Sequence, residues 1–180
     1  MESELIWECN GACVGGFSCY APSFSVASEA SYFFVVGHFG TSGNKPTSYV
    51  VSPIDCNDGN TVFRRPESFS RLWTDSGSGA WRDGAFWRVN CPNGYGSLSD
   101  ICTNGYSEPE KNTVWCIMLE YLEDDLHDTW VWDSKGTVGI VDVNGGKSDL
   151  TRELMSVTTT HGATNIMKRI KTEMIGMFDI

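Results

Sequence analysis

The sequence predicts an all-β domain, and its composition and a recurring hairpin unit are the observations that predict it. The 180 residues include 19 glycines and seven tryptophans, and aromatic side chains make up 12% of the chain. Short strands joined by tight glycine turns use residues in this way, whereas a helical bundle would contain more leucine and alanine. A chain of this length can bury one core, so we expect residues 1–180 to form a single domain.

The hairpin unit consists of an apolar strand with a tryptophan, a polar glycine-rich turn and a second apolar strand. It occurs around Trp7, Trp73 and Trp132. A second pattern follows each hairpin, at 36–46, 99–109 and 155–163, and in the first two copies a further strand follows at 48–52 and 113–118. This order predicts three repeats of about 60 residues with four strands each, over about 5–70, 71–128 and 129–180. One unit cannot bury its apolar face alone, so the three must pack together.

Three four-stranded units around a pseudo-threefold axis indicate a β-prism. The alternative is a β-trefoil, whose units are shorter, at roughly 40 residues. The pattern of the C-terminal segment fits both a helix and a strand. Ile166, Ile170, Met174 and Phe178 lie four residues apart, which is typical of a helical stripe, whereas the repeat predicts a strand there.

Charge and the first residues restrict the partners of the protein. The formal net charge is −10, which argues against nucleic acid as a partner and against broad attraction to anionic lipid. The chain starts with acidic residues and no apolar run follows, so we expect neither a signal peptide nor a transmembrane segment. We therefore expect a cytoplasmic or membrane-peripheral protein, with secretion by a non-classical or processed route as the alternative.

Seven cysteines are present, an odd number. Without an export signal the expectation is reduced thiols, and the alternative is the disulfide framework of a secreted lectin or toxin. The spacing of Cys9, Cys13 and Cys19 differs from the usual paired zinc pattern, so we expect no zinc site there.

The sequence contains no recognisable catalytic motif. His38, His127 and His161 accompany no nucleophile pattern, and His38 and His161 lie in glycine-flanked stretches where we expect exposed side chains without function. An acidic run is expected to be a solvated loop; its members are Glu120, Glu123, Asp124, Asp125 and Asp128. We predict that the protein is not an enzyme, and a hydrolase acting on glycans is the less favoured alternative.

The glycine-rich turns are the predicted binding site. Gly77 and Gly79 permit positive φ and let backbone N–H groups face outward, and Trp81 can stack on a sugar ring or lie at a lipid interface. The candidate ligand-binding residues are Asp75, Ser76, Gly77, Ser78, Gly79, Trp81 and Asp83, with Trp132, Asp133 and Ser134 in the third copy. Asp75, Asp83 and Asp133 are the candidate calcium ligands. The alternative interpretation is a plain hairpin, in which aspartate caps the turn and Trp73 and Trp87 belong to the core.

Residues 63–118 resemble the vacuolar protein sorting-associated protein 62 family. The resemblance rests on four segments in the order of that family: a strand with proline, phenylalanine and tryptophan (63–73), an Asp-Ser-Gly-Ser-Gly-Ala turn (75–80), an aromatic strand (83–87) and a Pro-Asn-Gly-Tyr segment leading to Asp100 (92–100). The third copy departs from the turn pattern at Lys135 and Thr137, and cysteine and glycine crowd the turn of the first copy.

This resemblance implies a β-prism related to multivesicular-body-associated modules. Similar β-prisms also accompany membrane-attack-complex/perforin pore-forming domains, as targeting parts, and the family brings no catalytic residues. The predicted function is therefore non-enzymatic recognition of a glycan or a lipid headgroup in a pore-forming or trafficking system, with calcium as the candidate cofactor. The alternative is a protein-interaction adaptor in membrane trafficking, which would bind a protein partner through a sheet face or edge.

Overall fold

A computed structural model describes residues 2–9, 16–23, 34–48, 50–53, 62–134, 141–146, 154–160, 162 and 165–179. Two short 3-10 helices span Leu119–Tyr121 and Thr172–Met177. The strands of the described residues are β1 (Ser3–Cys9), β2 (Phe17–Pro22), β3 (Phe39–Thr41), β4 (Ser52–Pro53), β5 (Phe63–Arg64), β6 (Ser68–Thr74), β7 (Gly84–Asn90), β8 (Tyr95–Gly96), β9 (Ile101–Asn104), β10 (Cys116–Met118), β11 (Leu122–His127), β12 (Thr129–Asp133), β13 (Asp142–Gly145), β14 (Met155–Thr158), β15 (Asn165–Ile170) and β16 (Phe178–Asp179). The all-β prediction is confirmed.

Three three-stranded antiparallel sheets share one design. Their strand orders are β1-β2-β3, β6-β7-β9 and β12-β13-β14. The first strand of each sheet has a register shift immediately before its tryptophan, at Trp7, Trp73 and Trp132. A bulge adds one residue to a strand, so side chains before and after it no longer follow simple alternation. The three tryptophans are 1%, 7% and 1% exposed, respectively.

These tryptophans form the centre at which the three sheets meet. Their ring centroids lie 5.8 Å apart for Trp7 and Trp73, 6.5 Å for Trp7 and Trp132, and 6.1 Å for Trp73 and Trp132. All three pairs are edge-to-face, the arrangement that the charge distribution of aromatic rings favours. Phe17 stacks on Trp132 and Phe86 stacks on Trp73. The repeat boundaries near residues 70 and 128 stay a prediction.

The remaining strands form smaller sheets around a second core. Their orders are β5-β10-β8, β11-β15 and β16-β4. Phe39, Phe63, Ile117 and Leu154 are buried in this core. Phe178 of β16 pairs with Pro53 of β4, so the C-terminal strand completes a sheet with a strand from the first part of the chain. Such pairs link distant sequence segments, and the fold is therefore held by long-range contacts.

The C-terminal segment forms strand β15, the second 3-10 helix and strand β16, so a continuous helix over the stripe is wrong. Ile170 pairs with Leu122 and Ile166 pairs with Leu126 across the β11–β15 ribbon. Residues four apart lie on the same face of a strand as well as of a helix. A spacing of four residues therefore fits a helix and a strand equally well, and the pairing with β11 decides in favour of the strand.

Glu123, Asp124 and Asp125 of the acidic run lie in strand β11, so the prediction of a loop is wrong for these three residues. Glu120, in the first 3-10 helix, and Asp128, between β11 and β12, are exposed. Glu123 forms an ion pair with Arg169 at 2.7 Å, and Asp124 forms one with Lys168. Asp125 is buried beside the fully buried His127, whose Nε2 lies 3.5 Å from a carboxylate oxygen of Asp125. Basic partners on β15 compensate the negative charge, which allows these residues to form a strand.

Two disulfides correct the expectation of reduced thiols. Cys19 of β2 is bonded to Cys102 of β9, which joins the first and second large sheets, and Cys91 is bonded to Cys116 of β10. Cys9 is disulfide-bonded as well. The sequence separations of the first two bonds are 83 and 25 residues. Only the fold brings such distant cysteines together, so the number of cysteines alone could not predict the pairing.

Candidate functional site

The loop between β6 and β7 is the predicted binding turn, and its backbone has the predicted form. Gly77 has φ +82° and Gly79 has φ +78°, a region that glycine enters without the steric cost of a Cβ atom. The N–H of Ser78 donates to the carbonyl of Asp75 at 2.8 Å. The hydroxyl of Ser78 accepts the N–H of Ala80 at 3.1 Å. Local hydrogen bonds therefore define the shape of this loop.

Asp75 anchors the base of the loop. It is 3% exposed, and its Oδ1 accepts the N–H of Gly84 at 2.9 Å. Its Oδ2 accepts the indole N–H of Trp7 at 3.3 Å, and the same indole N–H donates to the carbonyl of Arg82 at 3.0 Å. The Trp7 ring packs directly on Gly84 and leaves no room for a side chain there. The first sheet thus holds both ends of this loop, and partners within the fold occupy both carboxylate oxygens of Asp75.

Beyond this anchor the loop is open to solvent. Trp81 is 85% exposed, and Ser76 and Asp83 are also exposed. Tyr106, from the segment after β9, donates its hydroxyl to Oδ1 of Asp83 at 2.9 Å. Desolvation, Asp83 and Asp75 together raise the pKa of Tyr106 to about 12, so its hydroxyl remains a donor at neutral pH. We name Ser76, Trp81, Asp83 and Tyr106 the Trp81 surface.

The corresponding residues of the third sheet do not form a surface site. Trp132 is 1% exposed in the aromatic centre, and Ser134 is also 1% exposed. The hydroxyl of Ser134 accepts the N–H of Val141 at 2.9 Å, and the N–H of Ser134 donates to the carbonyl of Val141 at 2.9 Å. Ser134 stands two residues after its tryptophan, as Asp75 does, and likewise closes its hairpin. Burial of Asp75, Trp132 and Ser134 disfavours ligand contact at these residues, while Asp133 is half-buried. Binding by this set stays a prediction.

The three aspartates predicted to bind calcium do not converge on one ion. Asp75 is buried against Trp7 and Gly84 and Asp83 is exposed, with the hydroxyl of Tyr106 close to both carboxylates. Within the described residues, the group of His, Cys, Asp and Glu side chains close enough to hold a metal is Cys19, His38 and Cys102. Calcium binding by Asp75, Asp83 or Asp133 at their own turns stays a prediction, and at Asp75 the ion would have to compete with the hydrogen bonds from Trp7 and Gly84.

Sequence reasoning missed three features of the surface and core. Tyr106 joins the Trp81 surface from a distant segment, and no sequence spacing indicates that contact. Trp130 is 60% exposed because the bulge separates it from the inward-facing Trp132. His38 is 2% exposed, so the expectation of an exposed side chain is wrong, and burial lowers its pKa to about 4. His161 lies outside the described residues.

Three bulged sheets around a common aromatic centre make this molecule a β-prism. Residues 1–172 match the family model of vacuolar protein sorting-associated protein 62. The chain belongs to this family, and the match extends well beyond residues 63–118, where the motifs are clearest in the sequence.

A solved structure agrees with this fold. The crystal structure of GNIP1Aa from Chromobacterium piscinae aligns with a TM-score of 0.71 and 22% sequence identity, over 89% of this chain. The alignment covers 32% of the GNIP1Aa chain, so the likeness concerns the fold of a part of that protein. No curated protein matches the chain. None of the helices in the described part of the chain has the length and hydropathy needed to cross a bilayer.

Proposed function

We propose that the protein is a non-enzymatic recognition module that binds carbohydrate through the Trp81 surface. The observation that carries this proposal is the 85% exposure of Trp81 on a loop whose base is anchored by a buried carboxylate. When a ligand covers a large apolar side chain that was exposed to water, the free energy of the system falls, and this favours binding. Because the loop is already ordered by hydrogen bonds, binding costs little additional conformational entropy.

The polar neighbours of Trp81 favour a sugar as the ligand. A sugar presents an apolar C–H face and several hydroxyl groups, so its recognition needs both an aromatic ring and hydrogen-bonding groups. Ser76 provides a hydroxyl and Asp83 a carboxylate on the same loop, and Tyr106 adds a phenol beside Asp83. The burial and double hydrogen bonding of Asp75 support a structural role for this acid rather than catalysis on glycans.

The test is a glycan-array and pull-down comparison of the native protein with Trp81→Ala, with calcium and with chelator. We expect binding to fall by at least about tenfold in Trp81→Ala, because removal of a central aromatic contact costs about 1.4 kcal/mol or more. Trp130→Ala is the matched control, since Trp130 is 60% exposed on a different sheet. Equal glycan binding by native protein and Trp81→Ala would contradict the proposal.

A membrane surface is the second ligand that the same loop supports. Arg82 is exposed next to Trp81, and an interfacial tryptophan with an adjacent cation is a typical contact with lipid headgroups. Flotation with phosphatidylcholine vesicles containing phosphatidylserine tests this alternative. The ligand would be a lipid headgroup rather than a sugar if the native protein binds these vesicles, Trp81→Ala does not, and neither protein binds on the glycan arrays.

An adaptor function is supported by a different surface. Leu126 and Ile166 pair across the β11–β15 ribbon and are 39% and 66% exposed. An exposed apolar pair of this kind is suited to a protein partner. Affinity capture with native protein and with Ile166→Glu tests it. A stoichiometric partner that is lost in Ile166→Glu and kept in Trp81→Ala, without any glycan or lipid binding, would favour the adaptor.

A further inference from the structure

Three sulfur atoms and one imidazole nitrogen meet where the three large sheets approach one another. They belong to Cys19 of β2, His38 just before β3, Cys102 of β9 and Met155 of β14, and all four residues are at most 2% exposed. The Nδ1 of His38 lies 3.5 Å from the Sγ of Cys102, and the Sγ of Cys19 lies 3.7 Å from the Sδ of Met155. In the oxidised protein Cys19 and Cys102 form a disulfide at this position.

Two of the six spacings among these donor atoms match a tetrahedral metal site. With bonds of about 2.0 Å to nitrogen and about 2.3 Å to sulfur, a tetrahedron places its nitrogen and sulfur ligands about 3.5 Å apart and two sulfurs about 3.8 Å apart. Both observed distances agree with these values. Binding of an ion after reduction requires the two cysteine side chains to rotate until their sulfurs reach the same spacing.

We propose that reduction of the Cys19–Cys102 disulfide converts this cluster into a site for a thiophilic d10 cation, with Zn²⁺ as the favoured ion. The thiolates of Cys19 and Cys102 and the imidazole of His38 are the main ligands, and the thioether of Met155 is the fourth. Two thiolates neutralise one divalent ion, whereas a monovalent ion such as Cu⁺ would leave a net negative charge in a buried site. Thioether and thiolate ligands suit Cu⁺ as well as Zn²⁺.

The backbone around His38 positions the imidazole without a metal. The backbone N–H of His38 donates to the hydroxyl of Ser99 at 3.3 Å, and the backbone carbonyl of His38 accepts the N–H of Met155 at 3.2 Å. The Nδ1 accepts the N–H of Cys102 at 3.2 Å, so its lone pair already faces the cysteine. On metal binding, this Nδ1 lone pair would coordinate the ion instead of accepting the hydrogen bond from the N–H of Cys102.

A cavity gives the ion and the reductant a route to the cluster. It has a volume of about 510 Å³, and His38 and Cys102 form part of its wall together with Ile6, Ala21 and Val35. In the first step a phosphine attacks the disulfide and, with water, yields two thiols and the phosphine oxide. In the second step the ion binds, and the two thiols release their protons to solvent as they become thiolates.

The experiment measures Zn²⁺ content after anaerobic reduction with a phosphine and equilibrium dialysis. The reference protein is Cys91→Ser/Cys116→Ser, which removes the other described disulfide and keeps the cluster. The matched comparison is Cys19→Ser/Cys102→Ser. We expect the first protein to hold about one more Zn²⁺ per chain than the second, because one tetrahedral site is gained. We expect no such difference before reduction.

Two single variants keep the disulfide and therefore the oxidised fold. His38→Gln is expected to weaken Zn²⁺ binding by more than about 100-fold, since changes in groups that merely support metal ligands cost about 10–100-fold. Met155→Leu conserves volume and is expected to weaken it by about tenfold or less, as the loss of a weak ligand. Cobalt substitution provides an independent readout, because tetrahedral Co²⁺ absorbs far more strongly in the visible range than octahedral Co²⁺.

The proposal is overturned if the two double variants bind equal amounts of Zn²⁺, or if His38→Gln binds as tightly as the reference protein. A reduced protein that loses its near-ultraviolet circular dichroism and does not regain it with Zn²⁺ or Cu⁺ also overturns it. Competition with a Cu⁺-selective chelator distinguishes the two ions. A cluster that takes Cu⁺ and not Zn²⁺ keeps the site but overturns the assignment to Zn²⁺.

Discussion

Asp75 shows, at the scale of the residue, how one side chain connects two sheets. Its two carboxylate oxygens accept one N–H from its own hairpin and one from Trp7 of the neighbouring sheet. The residue is 3% exposed, so water cannot replace either partner. An acid in a glycine-rich turn is therefore a structural anchor here, and the proposed carbohydrate binding rests on the exposed residues that follow it.

Replacement of this anchor is expected to destabilise the fold strongly. Asp75→Ala leaves the N–H groups of Gly84 and Trp7 without their carboxylate, and a buried unsatisfied group costs about 1–3 kcal/mol. We expect urea unfolding to show a loss of about 3 kcal/mol. Ser76→Ala, on the adjacent exposed residue, should change the free energy of unfolding by less than about 0.5 kcal/mol. Equal stability of the two variants would show that Asp75 does not anchor the loop.

His127 makes stability depend on pH. Burial lowers the pKa of His127 below the ordinary value of 6.5, and the negative charge of Asp125 raises it by a smaller amount. The unfolded chain therefore takes up the proton at higher pH than the folded protein, and stability is lost as the pH falls below about 6.5. We expect the free energy of unfolding to decrease less between pH 7 and pH 5 in His127→Gln than in the native protein. Parallel pH profiles of the two proteins would contradict this prediction.

At the scale of the element, the β-bulge determines which aromatic side chains are buried. Trp130 and Trp132 are two residues apart, and an ideal strand would place both on one face. The register shift between them leaves Trp130 60% exposed and Trp132 1% exposed. The same shift precedes Trp7 and Trp73. Three bulges thus direct three tryptophans to one centre.

The β7 strand begins with a glycine because the Trp7 ring occupies the space of its side chain. A Cβ atom at Gly84 would overlap the indole, and overpacking of this kind costs about 1–3 kcal/mol. We expect Gly84→Ala to lower the free energy of unfolding by about 2 kcal/mol and to alter the near-ultraviolet circular dichroism of the tryptophans. Gly43→Ala is the control, since a Cβ there meets only the Thr41 hydroxyl at 3.8 Å. A Gly84→Ala protein as stable as Gly43→Ala would argue against this contact.

At the scale of the whole molecule, polar contacts connect the second and third large sheets. Asp100 is 0% exposed and accepts two hydrogen bonds from Arg88 of β7, each at 2.9 Å. It also accepts the N–H of Val157 of β14 at 2.7 Å. Arg88 in addition donates to the carbonyl of Val157 at 2.8 Å. The disulfide between Cys19 and Cys102, in the same core cluster as the three tryptophans, joins the first and second sheets.

Breaking this network is expected to cost far more than breaking a surface ion pair. Asp100→Asn replaces an acceptor by an amide that cannot satisfy all three donors, and loss of one member of a buried pair costs about 3–5 kcal/mol. Because the Arg88 side chain is 37% exposed and can be partly rehydrated, we expect about 3 kcal/mol. Asp124→Asn breaks the exposed pair with Lys168 and should cost less than about 1 kcal/mol. Denaturant unfolding of both variants measures the difference, and similar losses would contradict the prediction.

The sequence by itself determined the all-β class, the family and the form of the glycine turn. These properties follow from local information, because composition, turn residues and the need for positive φ at Gly77 and Gly79 act over a few residues. The core positions of Trp73 and Trp87 under the hairpin interpretation are confirmed as well, at 7% and 5% exposure.

Only the tertiary structure decided which of these residues face solvent and which hold the sheets together. Asp75 is inaccessible to solvent because Trp7 packs beside it, although the two residues are 68 positions apart in sequence. Trp132 and Trp130 differ in solvent exposure because of a bulge. Residues 165–170 form a strand because they pair with β11. The disulfide from Cys19 to Cys102 depends on how the first two sheets meet. Burial, register and cysteine pairing result from contacts between distant segments, and local sequence patterns carry little information about them.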